Sequence, residues 1–329
     1  MTTLITGAGV IGCHTARLLA QRGESVLLVD VAPAREAIAT IVDSSWVHIE
    51  AADVTDFDHL NQLVESHGVR RIVHTAALLS TAIRKDPVKG VQVNVMGTTH
   101  VLEIARRHRL ERVVIASSTT VGYPVFGDFE GNSFPEDFAL KSIRHRPGSI
   151  YAATKVAAEN LALLYRDLYD VETVSLRYAA VISAWSGPGT SVPARVLSSL
   201  AGPAAHGKTS VIDDPYLVWL GGEEFIDARD CALANVAALD AAHPAQGIYH
   251  IGQGQLHGFD DFVAGVRQSY PALQVDMRVV PQGGFAGFAH VRKAASDISA
   301  AARELAWQPT HGLADSIAHF APFCISKES

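Results

Sequence analysis

The chain is predicted to fold as an α/β protein: a doubly wound parallel sheet with a smaller C-terminal lobe. Three observations predict it. Over the first 180 residues, short apolar runs alternate with longer stretches of helical period, the rhythm of strand–helix–strand units. The apolar runs are nearly unbroken, as strands are when helices cover both faces of a sheet. The turn Gly7-x-Gly9-x-x-Gly12 lies between the first apolar run and the first helical stretch.

Each element follows in order. TLIT at 3–6 is the first strand, and 10–22 a helix. SVLLVD at 25–30 is a buried strand ending on Asp30. WVHIEAADV at 46–54 is a third strand and 58–68 a helix. RRIVHTAA at 70–77 is a fourth strand. Residues 88–109 carry Val91, Val95, Thr98, Leu102 and Ala105 on one stripe, a helical period. RVVIAS at 112–117 is a fifth strand. Residues 151–169 repeat the pattern with Ala153, Ala157, Leu161, Leu164 and Leu168, and ETVSLRY at 172–178 is a sixth strand. Beyond Tyr178 the rhythm breaks into Gly- and Pro-rich segments. We therefore expect a dinucleotide-binding domain over 1–181 and a substrate lobe over 182–329, with 225–252 returning to the main sheet.

Composition excludes several classes. The 329 residues are 48% apolar and 19% charged, with net charge -7 and a pI near 6.1. That balance gives no electrostatic case for nucleic acid or an anionic membrane as partner. No apolar run approaches the roughly 20 residues of a membrane helix, and the chain enters its first strand with no basic, cleavable leader. Cys13, Cys231 and Cys324 are far apart, so no disulfide framework or zinc cluster is expected, and a reducing cytoplasm fits.

Two motifs carry chemistry. In the glycine turn, Gly7 permits the bend, Gly9 lets backbone approach a pyrophosphate, and Gly12 lets helix and strand pack closely. The helix N-terminus then faces the phosphates. Asp30, 23 residues after Gly7, can accept hydrogen bonds from a ribose diol and would repel a 2′-phosphate. Val31 offers no compensating cation, so the cofactor is expected to be NAD rather than NADP. Asp53 can reach the adenine amino group. The second motif is Tyr151-x-x-x-Lys155, on one helical face. A free phenol titrates near 10, and lowering it by about three units takes roughly 4 kcal/mol. A nearby ammonium and a positive nicotinamide ring are expected to supply that. Tyr151 can then exchange a proton with a substrate hydroxyl. Ser118, with Ser117 as the alternative, would orient the same oxygen.

Together these residues resemble the extended branch of the short-chain dehydrogenase/reductase superfamily, the NAD-dependent epimerase/dehydratase family, built on a Rossmann fold. The matches are TGAGVIG, Asp30, Asp53, HTAA at 74–77, NVMGT at 94–98, ASSTTVGY at 116–123, YAATK at 151–155, LRY at 176–178, FIDARDCALA at 225–234, YHIG at 249–252 and LAWQPTHGLADSI at 305–317. The resemblance implies Ser118, Tyr151 and Lys155 as the catalytic set and Asn94 in a supporting helix kink. It implies a cofactor wall of Gly7, Gly9, Val10, Ile11, Gly12, Asp30, Asp53, Val54, Ala76, Ala77, Asn94, Ala116, Tyr151, Lys155, Tyr178 and Val181. It also implies a homodimer through helices 88–109 and 151–169. The glycine loop is one residue shorter than the family's usual TGxxGxxG, which predicts a tighter turn.

A second departure concerns the substrate. Nucleotide-sugar members commonly carry an Asn where this chain has Ala180, and an Arg where Glu223 and Glu224 precede Phe225. Exchanging a cation for a carboxylate removes a charge-assisted bond of roughly 1.5–3 kcal/mol and adds repulsion. Unless another arginine such as Arg195 or Arg229 takes over the diphosphate, a small non-nucleotide substrate is expected, and LRYAAVIS with GPGTS at 187–191 resembles the L-threonine 3-dehydrogenase subgroup. By position, Ser80, Ser118, Thr119, Tyr123, Ser183, Thr190 and Ser191 would line its pocket. The reading is an NAD-dependent oxidoreductase acting on a secondary alcohol or ketone. A nucleotide-sugar 4-epimerase or dehydratase with tightly held NAD, and a non-enzymatic NAD sensor, stand as alternatives.

Overall fold

A computed structural model, describing residues 1–187 and 191–327, contains one sheet of seven parallel strands. They are β1 (Thr2–Thr6), β2 (Ser25–Asp30), β3 (His48–Ala51), β4 (Val69–His74), β5 (Arg112–Ser118), β6 (Thr173–Tyr178) and β7 (Ile248–Ile251). Their spatial order is β3-β2-β1-β4-β5-β6-β7. The order reverses between β1 and β4, which opens a crevice beyond the carboxyl ends of those strands.

Adjacent residues on each strand feed opposite cores, as the pleat requires. Ile5, Leu28, Val73 and Val114 pack with Cys13, Ala16 and Leu19 of helix α1 (Val10–Gln21). Their neighbours Leu4, Leu27, Ile72 and Val113 pack on the other side with Val101, Leu102 and Ala105 of helix α2 (Gly97–His108). Helix α3 (Ile150–Tyr169) adds Ala162 to that second face. Both faces are thereby covered, which explains the unbroken apolar runs. A further core, built on Leu197, Leu200, Trp219, Phe225, Phe262 and Ile317, forms the C-terminal part. Among the described residues no helix is long and apolar enough to cross a membrane.

Three elements differ from the sequence reading. The third strand ends at Ala51 rather than 54, because Asp53 Oδ1 accepts from the Thr55 N–H at 2.8 Å and from its hydroxyl at 2.7 Å, which curls the chain. Residues 88–109 are not one helix. A helix at Pro87–Val91 passes into a π-helical turn at Gln92–Met96 and then into α2. Asn94 lies inside that turn. Its Oδ1 accepts from the Leu78 N–H at 2.8 Å, and its Nδ2 donates to Leu78 O and Thr154 Oγ1. Finally, Phe225–Asp227 pairs with Ala180–Ile182 in a separate two-stranded ladder, whereas Ile248–Ile251 joins the main sheet beside β6.

Candidate active site

The crevice is built first by the glycine turn. Gly7 has φ +91, and a Cβ there would lie 2.6 Å from the Ala76 backbone nitrogen. At Gly12 a Cβ would lie 2.0 Å from the Gly7 carbonyl oxygen. A Cβ at Gly9, by contrast, would meet nothing within 4 Å. Gly7 and Gly12 are therefore closed by the protein itself, while Gly9 faces open space. Gly9 also caps α1 without any side-chain bond to its amides, so the helix offers N–H groups to an anion. Asp30 Oδ2 accepts from the Ala8 N–H at 2.9 Å, which fixes its carboxylate beside this turn. Asp53 pairs with Lys89 at 3.3 Å on the same wall.

The second half comes from β5 and α3. The hydroxyl of Ser149 caps α3, accepting from the Ala152 N–H at 3.1 Å, and sets Tyr151 in the first turn. Lys155, one turn later, donates from Nζ to Ala116 O at 2.6 Å. Its ammonium sits 5.7 Å from the Tyr151 ring centroid. Burial pushes the Tyr151 phenol up to about 12, partly offset by a hydrogen bond with the Ser118 hydroxyl. Burial also pushes Lys155 down to about 8, opposed by the Glu159 carboxylate. The expected lowering of the tyrosine is thus not present in the protein alone. Bringing a phenol from about 12 to neutrality takes roughly 7 kcal/mol. Burial therefore favours the protonated phenol, with the Ser118 hydrogen bond as the opposing influence.

One cavity of about 630 Å³ joins both halves. Of the residues read as site candidates, all but Asn94 and Thr190 line it. Asn94 stands behind the wall and holds Leu78, which lines it. Thr190 lies outside the described residues. Sequence reasoning missed Trp185, Ser198, Phe285, Phe288 and Phe323, which also line the cavity. The glycine-rich GGFAGF run at 283–288 was a usable signal for two of these; Phe323 carried none. Among the described lining residues the cations are Lys89 and Lys155. Lys89 is paired with Asp53 and Lys155 is beside Tyr151.

The sequence profile of the NAD dependent epimerase/dehydratase family matches residues 3–252. The chain belongs to that family. Its members are NAD-dependent enzymes of the extended short-chain dehydrogenase/reductase type, and NAD is its cofactor. UDP-glucuronate 4-epimerase 4 of Arabidopsis thaliana is 25% identical over 350 residues, covering 100% of this chain and 76% of that protein. The Thermus thermophilus UDP-glucose 4-epimerase in complex with NAD superposes with a TM-score of 0.77 at 25% identity, covering 99% and 100% of the two chains. A partial-consensus L-threonine 3-dehydrogenase superposes with a TM-score of 0.81 at 24% identity, covering 99% and 100%, a likeness of fold alone. The epimerase/dehydratase chain described here fits its cofactor on its own geometry. A Cβ at Gly9 would meet open space beside the α1 N-terminus, Asp30 lines the same cavity, and the cations among the described lining residues are Lys89 and Lys155, which suits a dinucleotide without a 2′-phosphate.

Proposed function

We propose that this protein is an NAD-dependent oxidoreductase interconverting a secondary alcohol and a ketone on a small non-nucleotide substrate. NAD, held along Gly9, Asp30 and Asp53, supplies the hydride acceptor or donor. Tyr151 exchanges the proton of the substrate oxygen, Ser118 bonds that oxygen, and Lys155 holds the positive charge that favours the phenolate. Burial favours the protonated phenol, the form that donates a proton to a ketone oxygen. It becomes a base when a second positive charge enters beside it.

The observation that carries the substrate class is the fate of Arg292. This buried guanidinium donates from Nη1 to Glu223 at 3.0 Å and from Nη2 to Glu224, and its Nη2 also donates to Ser296 at 2.7 Å. Tyr123, on the cavity wall, donates its hydroxyl to the other oxygen of Glu223 at 2.7 Å. Arg195 is paired with Asp214, and Arg229 with Asp227. No arginine lines the cavity among the described residues, and Arg292 is already neutralised by two carboxylates. A diphosphate would find no charge-assisted donor there, whereas Trp185, Phe285 and Phe288 favour an apolar or aromatic substituent.

A second reading, a nucleotide-sugar 4-epimerase, is favoured by the UDP-sugar epimerases among the relatives. One pair of measurements separates them. We expect steady NADH accumulation with NAD and a member of a panel of hydroxy acids, amino alcohols and aryl alcohols. We expect no thermal shift with UDP or UDP-sugars; clear stabilisation by UDP defeats the proposal. We further propose a cytoplasmic homodimer. Val88, Val91, Leu164 and Leu168 are 44–68% exposed on the helices bounding 87–108 and 150–169, an apolar surface that a second copy would cover.

A further inference from the structure

We propose that His48, Glu50 and His67 form a divalent-metal site of the zinc class beside the edge of the sheet. β3 is the edge strand, held by one ladder to β2. Side chains two apart on a strand share a face. Ile49 packs with the core on the α1 side, so His48 and Glu50 point to the opposite face, where the helix Phe57–Ser66 lies. His67 is the cap residue ending that helix. Gly68, at φ +57, then turns the chain into β4. Two elements 17 residues apart in sequence thus deliver two imidazoles to one carboxylate.

The convergence is on a single oxygen. Glu50 Oε1 lies 2.7 Å from His48 Nε2 and 3.0 Å from His67 Nε2. The two imidazole centroids are 5.0 Å apart, and all three donor atoms lie within 4.8 Å of one another. A tetrahedral ion with bonds of about 2.0–2.1 Å separates its ligands by about 3.3–3.4 Å. The histidine–glutamate contacts need open only by a few tenths of an ångström, and the two imidazole nitrogens need approach one another. Side-chain exposures of 59%, 29% and 29% leave room for that adjustment. Two nitrogens and one oxygen select zinc, nickel or copper over magnesium or calcium, which take oxygen donors. Water would complete the coordination. The site starts β3, while the cofactor wall follows its far end at Asp53, so its role is to clip the edge strand to the helix rather than to act in the reaction. The sequence showed no such cluster, because the third member is remote in the chain.

The test is calorimetric titration of the tag-free, chelator-treated full chain with zinc chloride. We expect one saturable binding event and a rise in thermal midpoint. Loss of an outer-shell partner of a metal site already costs about 10–100-fold in affinity, so His48→Ala and His67→Ala should each weaken binding at least tenfold and abolish the midpoint rise. Glu50→Gln should weaken it too, with little change of shape. All three variants should match the parent in midpoint without metal and in NAD affinity. Absence of saturable binding, equal binding by the histidine variants, or equal binding of magnesium overturns the assignment.

Discussion

Lys155 is set in part by a carboxylate that does not line the cavity. Glu159, one turn beyond Lys155, is 4% exposed and accepts from Ser117 Oγ at 2.5 Å and from Arg177 Nε and Nη2 at 2.8 Å each. Its charge opposes the desolvation that lowers Lys155. The Glu159→Gln variant removes that attraction, so Lys155 should lose its proton below its present value of about 8. The alkaline limb of kcat/KM is expected to move to lower pH, and an unmoved limb contradicts the coupling. Breaking the buried pair with Arg177 should also lower stability by about 3–5 kcal/mol, readable in denaturant. Tyr151→Phe keeps the ring and removes the proton donor. Turnover should fall by about 10²–10⁴-fold with NAD affinity unchanged; retained turnover would exclude Tyr151 as the acid/base. The Tyr–Lys spacing was visible in sequence because both residues lie on one helix. The phenol's upward shift was not, because desolvation depends on what encloses the ring.

At the scale of elements, the glycine turn makes a prediction that separates fold from binding. Gly12→Ala would place a methyl 2.0 Å from the Gly7 carbonyl, forcing α1 away from β1. Both stability and NAD binding should fall. Gly9→Ala meets nothing within 4 Å, so its thermal midpoint should hold while NAD binding, followed by nucleotide titration, weakens. If Gly9→Ala binds NAD like the parent, the pyrophosphate does not lie there. The strands and most helices were legible because their apolar period records which faces are buried. The π turn at Gln92–Met96 was not. Its apolar stripe reads as a continuous helix; only the family resemblance placed a kink at Asn94, where the π turn and the bonds to Leu78 and Thr154 are found. The premature end of β3 was hidden likewise in one side chain, Asp53, bonding its own turn.

For the whole molecule, Leu164 and Leu168 on α3 are 50% and 65% exposed, and Val88 and Val91 before the π turn are 68% and 44% exposed. If these cover a twin surface, Leu168→Glu should shift sedimentation from twice 35.1 kDa toward the single-chain mass; a monomeric parent refutes the dimer. The cavity was half legible. The glycine turn and the Tyr–Lys pair are local motifs, but the lining residues Trp185, Phe285 and Phe323 come from segments scattered over more than a hundred residues. The partner of Glu223 and Glu224 was equally invisible, since Arg292 joins them from 68 and 69 positions away. That clamp has an evolutionary corollary. Deleting one glutamate leaves the other holding the guanidinium, and deleting both strands a buried cation before any new ligand can reward the change. On the proposed reading of the substrate, no single replacement at Glu223 or Glu224 frees Arg292 for a diphosphate, so a change of ligand there needs both positions at once.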